Sequence, residues 1–103
     1  MAKVGIVDDN YENCEFLKIL FPDSVTNDGS SYIGNCEYYI VDYLLVGKTG
    51  LDYCKEYEIP FNKVIIMTAL RDYQISVDVI RKGCLAYVEK GFTIDEFKKI
   101  INV

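Results

Sequence analysis

The chain has 103 residues, half of them hydrophobic and 26% charged, with a formal net charge of −5. This suffices for one core and one domain, residues 1–103, and the acidic balance argues against a nucleic-acid surface, which needs clustered Lys and Arg. No stretch approaches the roughly 20 apolar residues of a membrane span, and Lys3 is followed only by a short apolar run and then by acids, so no leader is read and the cytoplasm is expected. Cys14, Cys36, Cys54 and Cys84 are widely spaced, form no C-x-x-C pair and have no His to join them. Four reduced thiols are the expectation, with no support for zinc.

In chain order, Lys3 to Val7 is β-branched and apolar, reads as an interior strand, and ends on Asp8-Asp9. Asn10 to Phe21 follows with Phe16, Leu17, Ile19 and Leu20 at helical spacing, stopped by Pro22. One of the two acids is expected to cap this helix while the other binds a ligand. Ser24 to Asn27 is a weak strand. Asp28-Gly29-Ser30-Ser31 is turn-forming, and the tract through Gly34-Asn35 has no helical period, so an irregular connection with room for one helical turn is expected.

Tyr38 to Asp42 is a short apolar run ending abruptly on a carboxylate. Tyr43 to Thr49, with Gly47, reads as a loop. Gly50 to Glu58 reads as a short helix with Leu51, Cys54 and Tyr57 inward, ended by Pro60. Lys63 to Met67 is a strand followed by Thr68. Tyr73 to Lys82 is a helix with Gly83 as its left-handed C′ residue. Ala86 to Glu89 is a strand leading into Lys90. Thr93 and Glu96 form a capping box for a last helix whose apolar face is Phe97, Ile100 and Ile101.

Such alternation predicts an α/β domain: a parallel sheet with helices on both faces and right-handed crossovers. Five strands of this kind commonly wind in the order 2-1-3-4-5, which brings the ends of strands one and three together. Asp8, Asp9 and Asp42 would then converge on one edge, with Thr68 and Lys90 on the next strands outward.

At these residues the chain resembles the receiver domain of bacterial response regulators, over essentially its whole length. Receivers carry an acidic pair after the first strand, an aspartate after the third, Ser or Thr after the fourth and Lys after the fifth; here these are Asp8-Asp9, Asp42, Thr68 and Lys90. Gly50, eight residues past Asp42, Ala69 after the Thr, and Tyr87, three before Lys90, match further family positions. The resemblance implies a flavodoxin-like, doubly wound five-stranded sheet. It also implies a signalling switch phosphorylated on Asp42 by a sensor histidine kinase, a phosphotransfer protein or a small phosphodonor. Mg²⁺ or Mn²⁺ would be held by Asp9, Asp42 and the Leu44 carbonyl, with Asp8 acting partly through water. Hard divalent ions suit such oxygen donors, and they neutralise carboxylates that would otherwise repel. Lys90 and Thr68 would contact phosphoryl oxygens. Thr68 and Tyr87 would then move together, reshaping the face made by the fourth helix, fifth strand and fifth helix for a partner. The remaining eight tyrosines read as packing or surface residues.

Several positions depart from the family. Val46 and Gly91 stand where prolines are common, and a trans Lys90-Gly91 bond is expected because a cis bond without proline costs about 3–4 kcal/mol. Leu44 and Leu70 are apolar at the two positions that tune hydrolysis, so slow loss of phosphate is expected. Only 32 residues, Asn10 to Val41, separate the acidic pair from Asp42, so the second helix should be reduced or absent. Apolar sheet left bare would need covering by the Tyr32-Ile33 tract, by neighbouring helices, or by another chain, and a partner or self-association at that face is expected.

The protein is accordingly expected to be a phosphoryl acceptor and no turnover enzyme, with no output domain encoded after the last helix. The alternative is a pseudo-receiver that binds its partner without phosphorylation. A haloacid-dehalogenase-like phosphatase would want a D-x-D motif after a strand and a cap or longer chain, neither of which is present.

Overall fold

The computed structural model describes residues 4–69, 72–91 and 94–100. Lys3, Leu70 and the Thr93 half of the expected capping box lie outside the described residues.

Five parallel strands form the sheet: β1 (Val4–Val7), β2 (Val25–Asn27), β3 (Tyr38–Asp42), β6 (Val64–Thr68) and β7 (Ala86–Glu89). Their order is β2-β1-β3-β6-β7, the expected winding. β1 and β3 are in register from Val4↔Tyr38 to Val7↔Val41, so Asp8 and Asp42 leave the sheet at the same level. β3 and β6 are paired through Asp42↔Met67, and β6 and β7 through Thr68↔Glu89.

Alternation along the strands builds two cores. Val4, Ile6, Ile40, Ile65, Met67 and Val88 meet α1 (Tyr11–Leu20) through Cys14 and Leu17, and α4 (Ile94–Ile100) through Phe97. Phe21 and Phe97 pack edge to face with centroids 5.8 Å apart. On the other face Val7, Tyr39, Val41, Val64 and Ile66 meet α2 (Gly50–Glu56) through Tyr53 and Cys54, and α3 (Tyr73–Arg81) through Ile75 and Val79. Each large apolar side chain buried this way contributes about 1.5–3 kcal/mol. All four cysteines are buried in these cores, and none is in a disulfide.

No helix stands between β2 and β3; residues 28–37 cross in irregular conformation. The sheet beneath is nevertheless covered from within the chain. Ile33 and Cys36 of this tract are buried in the α2–α3 core. Two tyrosine hydroxyls hold its backbone: Tyr39 donates to the Ile33 carbonyl at 2.8 Å, and Tyr53 to the Ser31 carbonyl at 2.6 Å. Tyr32 stacks on Tyr57 of the α2 terminus at 5.6 Å. Gly5 makes the space, since a Cβ there would lie 3.0 Å from the Tyr39 ring and 3.1 Å from the Cys36 sulfur. With these residues in place, the ground for expecting another chain on this face falls away.

Two expectations need correction. Tyr43 to Thr49 is no loop but a small antiparallel hairpin, β4 (Leu44–Leu45) against β5 (Lys48–Thr49). Val46 and Gly47 make its two-residue turn, with Gly47 in the left-handed region at φ +78°. Neither Asp8 nor Asp9 caps α1: Asn10 does, its side chain accepting the Asn13 N–H.

Helix ends follow local chemistry. Thr49 and Asp52 form a reciprocal capping box at the start of α2. Gly83 closes α3 at φ +91°, as expected for a C′ residue. α2 ends two residues earlier than expected, in the same kind of motif but with Glu58 in the left-handed position: Ile59 N–H bonds the Cys54 carbonyl and Glu58 N–H the Lys55 carbonyl. A short 3₁₀ turn, Phe61–Lys63, then leads into β6.

Candidate functional site

The carboxyl edge of the sheet gathers three acids from two strand ends. Oxygen atoms of Asp8, Asp9 and Asp42 lie within 4.8 Å of one another. Asp8 and Asp42 are buried while Asp9 is exposed. Lys90 follows β7 and reaches across to both buried acids, its Nζ lying 3.2 Å from Asp8 Oδ2 and 3.4 Å from Asp42 Oδ2.

The backbone fixes these groups. Lys90 N–H donates to the Thr68 carbonyl at 2.7 Å, tying the ends of β6 and β7. Gly91 then turns the chain at φ +97° through a trans peptide, a conformation that glycine reaches without strain. Lys90 thus attains the carboxylates without a proline after it. Gly50 is demanded by a close approach: a Cβ there would overlap the Asp42 carbonyl oxygen and sit 2.9 Å from the Val41 side chain. Its own N–H donates to the Tyr43 carbonyl at 2.6 Å, closing the base of the hairpin beside Asp42.

Among the described residues the charges do not balance, since three carboxylates face one ammonium. Burial, with the neighbouring Asp8 charge, pushes the Asp42 carboxyl up to about 6, against the smaller downward pull of Lys90. Burial pulls Lys90 down, but the charges of Asp8 and Asp42 outweigh it and hold the ammonium above its ordinary range. A site with hard oxygen donors, excess negative charge and a carboxylate of raised basicity fits a small divalent cation better than a soft metal.

Thr68 is buried at the end of β6, beside this cluster. Leu44 begins β4 two residues after Asp42, its side chain half exposed. Tyr87 is half-buried in β7 and, with Asp72, Tyr73, Ser76 and Glu89, lines a groove between α3 and β7. It is not among the residues that meet at the acids.

Sequence reasoning missed how Asp8 is held. Its Oδ1 accepts the Asn10 N–H at 2.9 Å, and its Oδ2 accepts the Asn13 amide at 2.6 Å. The Cys14 thiol donates to the Asp8 carbonyl at 3.3 Å, its own ionisation pushed up to about 11 mainly by burial. The available signal was position: Asn13 falls in the first turn of a helix that starts immediately beyond the acids.

Five parallel strands wound in this order, with charged side chains at the β1–β3 switch point, define a doubly wound α/β domain with a candidate ligand site at its carboxyl edge. No family sequence model matches the chain, and no curated protein matches it in sequence. Solved structures do match. The Francisella response regulator 1452 receiver domain superposes with a TM-score of 0.83 at 24% identity, over 99% of this chain and 94% of that one. A response-regulator receiver domain protein from Clostridium thermocellum gives 0.86 at 21% identity, over 99% and 92%. The BeF3-activated receiver domain of Klebsiella pneumoniae RstA gives 0.82 at 17% identity, over 94% and 92%. The fold of this chain is that of a response-regulator receiver domain. Among the described residues, no helix is long and apolar enough to cross a membrane.

Proposed function

We propose that this protein is the phosphoryl-accepting switch of a two-component system, with Asp42 as acceptor. One observation carries the reading: Lys90 bridges Asp8 and Asp42 in a site where three carboxylates lie within 4.8 Å of one another. An Asp42 carboxylate oxygen forms the new bond to phosphorus. The bond from phosphorus to the donor's imidazole nitrogen or acyl oxygen breaks, and the leaving group keeps that electron pair. With a carboxyl ionising near 6, Asp42 is mostly anionic at neutral pH and ready to attack. Lys90 offers a point charge to a phosphoryl oxygen and Thr68 a hydroxyl donor at the next strand end.

Asp9, Asp42 and the Leu44 carbonyl would hold Mg²⁺ or Mn²⁺, with Asp8 acting through water. Such an ion supplies neutralisation of the negative charge that gathers as phosphoryl and carboxylate approach. The aspartyl phosphate adds about −1.5 to −2 charges and three acceptor oxygens. Thr68 and Tyr87 would respond, altering the face of α3, β7 and α4, which correspond to the fourth helix, fifth strand and fifth helix of a complete receiver. A sensor histidine kinase or phosphotransfer protein is the donor class, and a downstream protein reads the face. The chain carries out its own phosphorylation and slow dephosphorylation without multiple turnover. The likeness to the BeF3-activated RstA domain is in keeping with this chemistry.

Gly91 and the shortened middle of the chain are the two departures that would favour a pseudo-receiver. Lys90 reaching both acids past Gly91, and the packed tract over the sheet, favour the acceptor reading instead. The test is incubation with acetyl phosphate and Mg²⁺ followed by intact-mass measurement. Wild type should gain one hydroxylamine-labile phosphoryl group and Asp42→Asn none; no adduct with acyl-phosphate or phosphoramidate donors would favour the pseudo-receiver.

A further inference from the structure

The first turn of α1 is wired around the Asp8 carboxylate in an unusual way. In a capping box, the third residue of a helix accepts the N–H of the capping residue through its own side chain. Here the capping residue is Asn10 and the third residue is Asn13, but the Asn10 N–H goes to Asp8 Oδ1 instead, at 2.9 Å. The Asn13 side chain is thereby released to donate. Its amide nitrogen lies 2.6 Å from Asp8 Oδ2 and 3.4 Å from the Met67 sulfur. Met67 is the residue paired with Asp42 across β3 and β6, and it precedes Thr68. One half-buried amide therefore joins α1, the end of β1 and the end of β6.

The geometry points to Asn13 as the positioning residue of the candidate cation site: it holds Asp8 so that Asp9 and Asp42 are left to ligate directly. An ionised carboxylate offers about four lone-pair sites. On Asp8, Asn10 takes one on Oδ1, while Asn13 and Lys90 both approach Oδ2. Both oxygens are thus already engaged by protein donors, so Asp8 is the acid least available to a cation. Without the amide, only the Asn10 N–H and the Lys90 ammonium orient the carboxylate, and the cluster's most buried acid is held less firmly. Groups that fix a ligand's orientation from behind commonly carry tenfold or more of metal affinity. This inference rests on reading the three acids as a cation and phosphoryl site.

Substituting Asn13 does not undo the helix. The cap runs through the Asn13 backbone N–H, which any residue keeps, and alanine is a better helix former than asparagine. Mg²⁺ titrations by calorimetry on wild type, Asn13→Ala and Asn13→Leu, each with its metal-free melting temperature, test the assignment. Both variants should bind Mg²⁺ about tenfold more weakly, while each metal-free variant still unfolds in one cooperative transition, a few degrees below wild type for the hydrogen bond lost to a buried carboxylate. Leucine keeps the branched shape of asparagine and more than fills its volume, but cannot donate. Affinity unchanged in both, or lost in Asn13→Ala and restored in Asn13→Leu, would overturn the role, the latter because packing alone would then explain it. Should wild type neither bind Mg²⁺ nor accept a phosphoryl group, the parent reading falls and takes this one with it. If wild type does both and the variants match it, only the role of Asn13 falls.

Discussion

The Tyr53 hydroxyl, on a side chain wholly inside the protein, donates to the backbone carbonyl of Ser31 at 2.6 Å, across 22 residues of sequence. It pins the helix-free tract to α2, and burial holds its ionisation up at about 12. Tyr53→Phe removes one hydrogen bond and strands a carbonyl, which should cost about 1 kcal/mol. Urea denaturation would show this as a lower midpoint with an unchanged slope. An unchanged midpoint would mean that stacking and apolar packing hold the tract unaided.

Gly50→Ala should be far more damaging. The added methyl runs into the Asp42 carbonyl and the Val41 side chain, neither of which is a flexible tip that can step aside. A loss of about 3 kcal/mol, on the order of 15 °C in melting temperature, is expected. Phosphoryl uptake should also slow, because the strain is relieved by moving the backbone of Asp42, the proposed acceptor. Differential scanning calorimetry and the acetyl phosphate assay read the two effects separately.

Glu58→Gly should stabilise. Glu58 sits at φ +55°, in a helix-ending motif that glycine enters without steric cost. Part of the relief is offset by the extra freedom of glycine in the unfolded chain. The expected net gain is about 0.5–1 kcal/mol, or a few degrees of melting temperature. A lower melting temperature would show that the Glu58 side chain makes a contact worth more than the backbone relief.

Asp42 ties stability to pH. Its folded-state pKa is raised from 3.8 to about 6, so between those values the folded protein binds more protons than the unfolded chain. Stability from this group is therefore full below about pH 4 and declines as pH rises through about 6. Metal-free Asp42→Asn should match wild type near pH 4 and exceed it by about 1–3 kcal/mol above pH 6. Saturating Mg²⁺ should close the gap by stabilising the wild type. Denaturant titrations at four or five pH values check both statements, and a gap independent of pH would count against burial of a charged Asp42.

Leu44 stands at the mouth of the site with an exposed side chain that cannot orient water. Leu44→Asn combined with Leu70→Glu should speed loss of the phosphoryl group by about tenfold or more, the scale of a positioned polar or acid–base group. Following intact mass after removal of the donor measures this; an unchanged decay would place control of hydrolysis elsewhere.

The sheet was legible because its strands are short apolar runs, and the site because four of those runs end on Asp8-Asp9, Asp42, Thr68 and Lys90. Strand order then brought these ends together, as the register of β1, β3, β6 and β7 requires. What stayed hidden depends on distant parts of the chain. Gly5 looks like a weak strand residue until Tyr39 and Cys36 are seen to need its missing side chain. Asn10 displaced the acids as helix cap because Asp8 was already engaged with backbone and side-chain donors. The hairpin at Val46-Gly47 carried a two-residue turn signal, but its strands are only two residues each, too short for periodicity to reveal.

The phenols that replace a helix over the sheet have an optical consequence. The chain has nine tyrosines and no tryptophan, so its near-ultraviolet spectrum belongs to tyrosine. Tyr53 and Tyr39 bond the tract's carbonyls, and Tyr32 stacks against Tyr57. Lifting the tract would hydrate all four rings together and change absorbance and ellipticity in the tyrosine band. The protein therefore carries its own unlabelled probe of whether that face stays closed when Asp42 is modified.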